Sequence, residues 1–287
     1  MDRSCILDPL TQPLPFTPFK DFTGRSINEI NLYSTEMSSA LCSIDRVSAS
    51  ANMNNRLSEA IVEAYKSTNG APISFELMLK CYQSRMKDAN NDDSISSVLK
   101  QLVNAHIFES EDKVSLIDDS YIIKMDGYPK DGPIAKAIVY FLMSKLNNIY
   151  ELLDKQAVND EVVQIRHFSI IDEAHYMLDF DNRPLRNLIA VGRNKGLSII
   201  LATQNMSSFK SKGFDFYANA QYPLIMKQQT IDDKVIKDLF GVSGQELQEI
   251  RTAIAGLQKG ELIIKDQMAF ALGMGNKYKK INVTHLI

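Results

Sequence analysis

The sequence predicts an α/β protein, a mainly parallel sheet flanked by helices, with a small helical insertion. Two observations carry this reading. In the second half, short apolar strand-like runs alternate with segments of helical spacing, the pattern of strand–helix–strand units. Between Asn54 and about Phe108, three helical patterns follow one another with no strand-like run among them. With 287 residues, 45% of them hydrophobic, the chain is long enough for one large or two small domains with real cores.

Taken in order, Cys5-Ile6-Leu7 reads as a strand end running into Asp8-Pro9-Leu10. Pro13, Pro15 and Pro18 then exclude a helix interior or a central strand, so an extended connection is expected over the rest of residues 1–46. The helical insertion is placed at 47–118. Leu57, Ile61 and Tyr65 share one face of its first helix. Ser74 is a natural N-cap for a helix from Phe75 to Met86, and Ile95, Val98, Leu99 and Leu102 mark the third. Asn69-Gly70 and the polar run from Asp88 to Asp93 are the loops between them.

The core resumes over 119–287. Tyr121-Ile122-Ile123 is a strand, and Pro133 opens a helix that keeps Ile134, Ile138, Phe141, Leu142, Ile149 and Leu153 in helical spacing. Phe168 to Ile171 is a buried strand, Leu197 to Ala202 another and Tyr222 to Met226 a third. Ser243 to Ala255 is a helix stopped by Gly256, and Glu261 to Lys265 is the last strand.

Composition narrows the function. A formal net charge of -3 argues against a basic protein that binds nucleic acid over its whole surface, so DNA contact would need local patches or an assembled pore. Cys5, Cys42 and Cys81 are widely spaced and include no C-x-x-C pair, which leaves no disulfide framework or zinc site to expect. No apolar run approaches the roughly 20 residues of a membrane span, and the N-terminus lacks the text of a signal peptide, so a cytoplasmic protein with no membrane partner is expected.

The most informative stretch is His167-Phe168-Ser169-Ile170-Ile171-Asp172-Glu173-Ala174-His175, an apolar strand ending in adjacent carboxylates. Strand C-termini are where open α/β sheets bind ligands. Phosphoryl transfer asks the protein mainly to place a magnesium ion and a water. Asp172 suits the Walker B role of holding the Mg²⁺ hydration shell and Glu173 the general base, although a bare Asp-Glu pair is more often two solvated acids and the motifs that follow are what shift the weighting. Ile199-Ile200-Leu201-Ala202-Thr203-Gln204 repeats the design, so Thr203 and Gln204 could meet the same nucleotide. The Gln204 amide can donate to a phosphate oxygen and accept from a water, which suits a γ-phosphate sensor. Between the two strands lie Arg183, Arg186 and Gly192-Arg193-Asn194-Lys195-Gly196, candidates for an arginine finger or for DNA-phosphate contacts, or else a solvated helix face.

These three ordered motifs resemble the second half of HerA/FtsK-superfamily ATPases. The opening Asp8-Pro9-Leu10 looks like the Asn-Pro-Leu element of those proteins, and Leu257-Gln258-Lys259-Gly260-Glu261 like the entry to their last core strand. Within the superfamily, the text from Phe214 to Glu261 is most similar to the DptH proteins of phosphorothioation-dependent restriction systems. The resemblance implies a RecA-like fold, ATP and Mg²⁺ as cofactors, a hexameric ring with DNA in its pore, and restriction-complex proteins as partners. It also implies Glu173, Gln204 and Arg193 as catalytic groups, with Asp172, Thr203 and Arg186 toward the nucleotide and its metal.

One departure matters. No glycine in the chain is directly followed by lysine, so G-x-x-x-x-G-K-[ST] is absent. The phosphate cradle is expected upstream of Met1 or on another chain, and the 287 residues alone are expected to be inactive. Two other readings stay open. Asp172 to His175 could be the DEAH box of a superfamily 2 helicase, although about eighty residues follow Gln204 and Arg251 is their one arginine. The chain could also be a non-catalytic half-fold serving as an interaction subunit. A metalloprotease is excluded because His167 and His175 do not form H-E-x-x-H.

Overall fold

The computed structural model describes residues 5–44, 49–87, 91–159, 162–211, 214–273 and 277–283. The expected boundary at 46/47 and part of the Asp88 to Asp93 loop lie outside them. The chain divides into two compact units, Met1–Ser169 with Asp179–Ile200, and Ile170–Leu178 with Leu201–Ile287.

In the first unit, β1 (Cys5–Leu7) pairs in parallel with the strand Tyr121–Ile123, Cys5 opposite Tyr121. The proline-rich stretch that follows was expected to be extended; it runs instead through a turn at Asp8–Thr11 and a series of bends, with one isolated bridge from Leu14 to Phe108, and it contributes to the core. Phe16 and Phe19 are buried, and Phe19 meets Phe75 and Phe141 edge-on at 4.9 and 5.6 Å. Next comes a helix that the sequence reading does not contain, α1 (Ile27–Ile44). Its start is a capping box: the Glu29 N–H donates to Ser26 Oγ, and the Ser26 N–H donates back to Glu29 Oε1.

The insertion supplies α2 (Ala51–Ser67), α3 (Phe75–Gln83) and α4 (Ser94–Ala105). Ser74 caps α3 by accepting from the Leu77 N–H at 3.1 Å, and α3 stops at Gln83, three residues short of the expected Met86. The Asn69-Gly70 turn is fixed by glycine. Gly70 has φ +87°, and a Cβ there would sit 2.6 Å from the Phe22 carbonyl oxygen. Asp93 does several jobs at once. Its Oδ1 caps α4 through the Ser96 N–H, and its Oδ2 accepts from the buried Tyr82 hydroxyl at 2.7 Å and from Arg56 at 3.2 Å.

The strand Tyr121–Ile123 is β2, and α5 (Pro133–Leu152) begins with proline in its first turn, as expected. α1 and α4 both pack on α5. The short hairpin β3 (Val158–Asn159) and β4 (Val162–Val163) leads to β5 (His167–Ile171), followed by α6 (Arg183–Val191) and β6 (Leu197–Leu201). β5 was expected to be buried. Phe168 and Ile170 are instead 55% and 68% exposed.

The second unit contains the pair β7 (Lys210–Ser211) and β8 (Phe214–Asp215), then α7 (Phe216–Asn219), β9 (Leu224–Met226), α8 (Asp233–Phe240), α9 (Gly244–Ala255), β10 (Glu261–Lys265), α10 (Gln267–Leu272) and β11 (Tyr278–Asn282). Its core gathers Ile225 of β9 and Ile263 of β10 with Val235, Ile236 and Phe240 of α8 and Leu247, Ile250 and Ile254 of α9. The sheet order is β11-β10-β9, antiparallel throughout.

The paired strands among the described residues therefore form several small sheets, with parallel pairing in β1/β2 and antiparallel pairing around β10. The expectation of one mainly parallel sheet misses the second feature. A single crossover helix returns the chain parallel, whereas α8 and α9 together add one more reversal, so β10 runs against β9. Asp93→Ala removes a cap and leaves the buried Tyr82 hydroxyl without its acceptor. It is expected to destabilise the chain by about 2 kcal/mol, read from the urea midpoint, and Asp93→Asn, which can still cap and accept, by clearly less.

Candidate functional site

β5 and β6 are neighbours. In the first unit, Arg166 N and His167 N donate to Gly196 O at 2.7 and 3.2 Å. In the second, Ala202 N donates to Ile171 O at 2.9 Å and Ala174 N to Ala202 O at 2.8 Å. The bonds advance the same way along both strands, so the pairing is parallel and both strands end at one level.

At that level the ladder breaks in a defined way. A regular parallel ladder would take the bond to Ala202 O from Glu173 N, but it comes from Ala174 N, one residue on. Glu173 is thus the extra residue of a bulge, a device that re-aims a side chain. It occupies the left-handed region, φ 50° and ψ 38°. Its N–H, released from the ladder, donates to Asp172 Oδ1 at 2.8 Å. The chain then enters a 3-10 turn, Ala174–Met177.

The bulge points Glu173 at the end of β6. Gln204 Nε2 donates to Glu173 Oε1 at 2.6 Å, a short, charge-assisted bond. The other oxygen, Oε2, lies 3.4 Å from His175 Nδ1, and the same Nδ1 lies 3.3 Å from Thr203 Oγ1. The Glu173 side chain is only 22% exposed, whereas Asp172 is open to solvent. The structure thus brings together Asp172, Glu173, Thr203 and Gln204, all within the second unit, and adds His175. The main sequence reading gave His175 no role at this site. The available signal was its place two residues beyond Glu173, at the level where Thr203 closes the neighbouring strand.

The cations belong to the first unit and are largely engaged there. Arg183 pairs with Glu36 at 2.7 Å. Arg186 pairs with Asp181, whose Oδ2 also accepts from Ser39 Oγ and whose N–H donates to Ser43 Oγ. Lys195 donates to the carbonyls of Tyr150 and Glu151, closing the C-terminus of α5. Arg193 sits exposed in the 3-10 turn Gly192–Lys195. Gly196 is sterically required, since its φ is +83° and a Cβ there would sit 2.8 Å from the Gln164 carbonyl oxygen, whereas a Cβ on Gly192 would meet the Leu197 side chain at 2.9 Å. A further cation escaped the sequence reading: Lys136 of α5 is 2% exposed and reaches Asp179 at 3.0 Å. Elsewhere in the same unit, His167 stacks on Tyr150, and burial lowers the basicity of its ring.

Among the described residues no group of three or more His, Cys, Asp or Glu side chains is placed to hold a metal. Asp172 is exposed just beyond the end of β5. No helix of the described residues is long and apolar enough to cross a membrane.

Parallel strands that end level in Asp-Glu and Thr-Gln, with helices in both units, define an α/β fold with a strand-end site, and solved structures share it. VirB4 of Thermoanaerobacter pseudethanolicus matches with a TM-score of 0.62 at 16% identity, over 98% of this chain and 77% of that one. The bacterial conjugative coupling protein TrwBdeltaN70 matches with a TM-score of 0.57 at 12% identity, over 99% and 74%. The plasmid coupling protein TrwB in complex with ADP and Mg²⁺ matches with a TM-score of 0.57 at 13% identity, over the same shares. These are RecA-like P-loop ATPase folds, and at such identities the likeness shows the fold alone. No protein-family model matches the chain, and no curated protein matches its sequence.

The left-handed backbone at Glu173 has a measurable consequence. Asn tolerates that region and a β-branched residue does not. Glu173→Val is expected to melt lower than Glu173→Asn, by about 1–2 kcal/mol in stability, although both delete the same carboxylate. Equal thermal midpoints would remove the strain from the account.

Proposed function

We propose that this chain carries the magnesium- and water-positioning half of the nucleotide site of an ATP-driven motor of FtsK/HerA-like type, with DNA as its track. The observation that carries the proposal is the hydrogen bond from Gln204 to Glu173 across the level ends of two parallel strands. In this reading Asp172 holds the hydration shell of Mg²⁺, which neutralises phosphate charge when bound. Glu173 accepts the proton of the attacking water, and Thr203 and Gln204 face the γ-phosphate. The TrwB structure with ADP and Mg²⁺ supports the cofactor assignment by fold likeness. Because no glycine of the sequence precedes a lysine, the phosphate cradle must be supplied from outside these 287 residues.

Arg186 enters this reading as an anchor, because Asp181 already holds its guanidinium. Arg193 is the remaining candidate for a trans-acting finger in a ring of subunits. It is exposed in its turn. The alternative, a non-catalytic interaction subunit, is favoured by the missing cradle alone.

Two measurements on the assembly completed with its phosphate cradle decide. Glu173→Gln keeps the shape and the hydrogen bonding, so ATP should still bind while turnover falls by on the order of 10²–10⁴-fold. Unchanged turnover would leave Glu173 a surface acid and favour the interaction subunit. Arg193→Ala subunits mixed with subunits whose cradle is disabled should regain activity, because a trans-supplied guanidinium is worth roughly 10³–10⁵ in rate and the mixed ring restores intact interfaces. Mixed rings, verified by mass, that stay as slow as either parent would refute the trans role.

A further inference from the structure

Among the described residues, one face of β5 is left open. Side chains alternate along the strand: His167 stacks on Tyr150 of α5, while Phe168 and Ile170, which turn the other way, are 55% and 68% exposed. On the neighbouring strand β6, Ile200 is 40% exposed. Phe168 and Ile170 are the residues that make β5 read as a buried strand in the sequence. Parallel strands are ordinarily covered on both faces, so large apolar side chains left open on such a pair mark a layer that is not on this chain.

The open face leads directly into the strand-end site, since Ile170 precedes Asp172 by two residues and Glu173 by three. A phosphate cradle is a strand–loop–helix unit, with G-x-x-x-x-G-K-[ST] in the loop and the phosphates at the helix N-terminus. For those phosphates to lie beside Asp172 and Glu173, the helix has to start at the C-terminal end of β5 and run back along the strand. A helix with one apolar stripe also needs an apolar sheet face to lie on. The solved structures that share the fold carry further chain, being matched over 77% and 74% of their length.

We propose that the open face of β5 is the seat of a helix belonging to the polypeptide that bears the phosphate cradle. The inference rests on the reading of Asp172 and Glu173 as half of a nucleotide site, and it names the surface on which the other half docks. The spacing fits. Residues two apart on a strand are separated by about 6.6 Å and residues four apart on a helix by about 6 Å. An apolar residue near the start of the helix would therefore meet Ile170, and one a turn further on would meet Phe168.

Photo-crosslinking in the assembly completed with its phosphate cradle tests the seat. Benzoylphenylalanine replaces Ile170, Phe168 or, as a control exposed at the end of α5, Leu152, and the linked peptides are mapped by mass spectrometry. Ile170 and Phe168 should link to residues just after G-x-x-x-x-G-K-[ST], the Phe168 sites lying about four residues further along than the Ile170 sites, and Leu152 should give no such link. Links to a second copy of this chain, links to a polypeptide without the motif, the reverse order of sites, or no link in an assembly that hydrolyses ATP each overturn the proposal. A second arm uses the double variant Phe168→Asp, Ile170→Asp. The 287-residue chain carrying it should melt as the wild type does, because both positions are open, whereas the assembly should bind ATP more weakly by on the order of 10-fold or more, the scale of a lost interface anchor. Undiminished ATP binding, or a lower melting point of the isolated chain, overturns the seat. Glu173→Gln leaves the face of β5 unaltered and judges the base assignment separately: unchanged turnover there sinks the base while the mapped links still stand.

Discussion

Everything proposed for the strand-end site hangs on the two backbone hydrogen bonds of Ala202, one to the Ile171 carbonyl and one from the Ala174 N–H. They set the register of β5 against β6, and a one-residue slip would turn each side chain to the other face. They also enclose one residue too many. The ladder takes up the surplus by placing Glu173 in the left-handed region, at a cost of the order of 1–2 kcal/mol for a residue with a Cβ. The compensation is local: Asp172 accepts the displaced N–H, and Gln204 and His175 meet the re-aimed carboxylate. Strain of this kind persists only where the surroundings over-determine it.

The first unit fixes the same chain by another means. Segment 179–186, which rejoins that unit just after the 3-10 turn, is held by two ion pairs, Lys136 with Asp179 and Arg183 with Glu36, and braced internally by a third, Arg186 with Asp181. Exposed pairs of this sort contribute little each. Lys136 differs, because a 2% exposed ammonium is tolerated only when it is paired, so Asp179 cannot drift without leaving an uncompensated buried charge. These pairs explain why a cation-rich stretch that reads as a cluster of ligands contributes mostly anchors. Charge alone does not distinguish a free guanidinium from one whose partner, Glu36, lies far away in sequence.

The elements legible in the sequence were those with a strong period or a local stop signal: β2, α5 behind Pro133, α3 behind Ser74, and β10 from Glu261 to Lys265. Asp172, Glu173, Thr203 and Gln204 were legible as a group because an apolar run ending in polar residues locates a strand end, and two such ends imply neighbours. What escaped has identifiable causes. The Ser26-x-x-Glu29 box was present, but the prolines before it drew the reading toward an extended chain. The antiparallel order around β10 depends on counting two helices between strands, and β11, rich in lysine, has no apolar alternation to announce it. His175 and the bulge depend on a 3-10 turn and a left-handed residue, and neither has a period.

The Gln204 amide carries the last constraint. Its nitrogen has two hydrogens that diverge by roughly the trigonal angle, and one of them is given to Glu173 Oε1 at 2.6 Å. If the other is given to a phosphate oxygen at a normal distance of ~2.9 Å, the two acceptors stand about 5 Å apart. That gap accommodates one water bonded to both, with the carboxylate on one side to take its proton and the phosphate on the other to be attacked. A glutamine serves here where a lysine would not: its amide bridges base and phosphate without adding a positive charge that would make the carboxylate a poorer base. In the proposed motor, sensing the γ-phosphate and setting the spacing for the attacking water are then one function of one side chain, and the bulge at Glu173 brings the base within its reach.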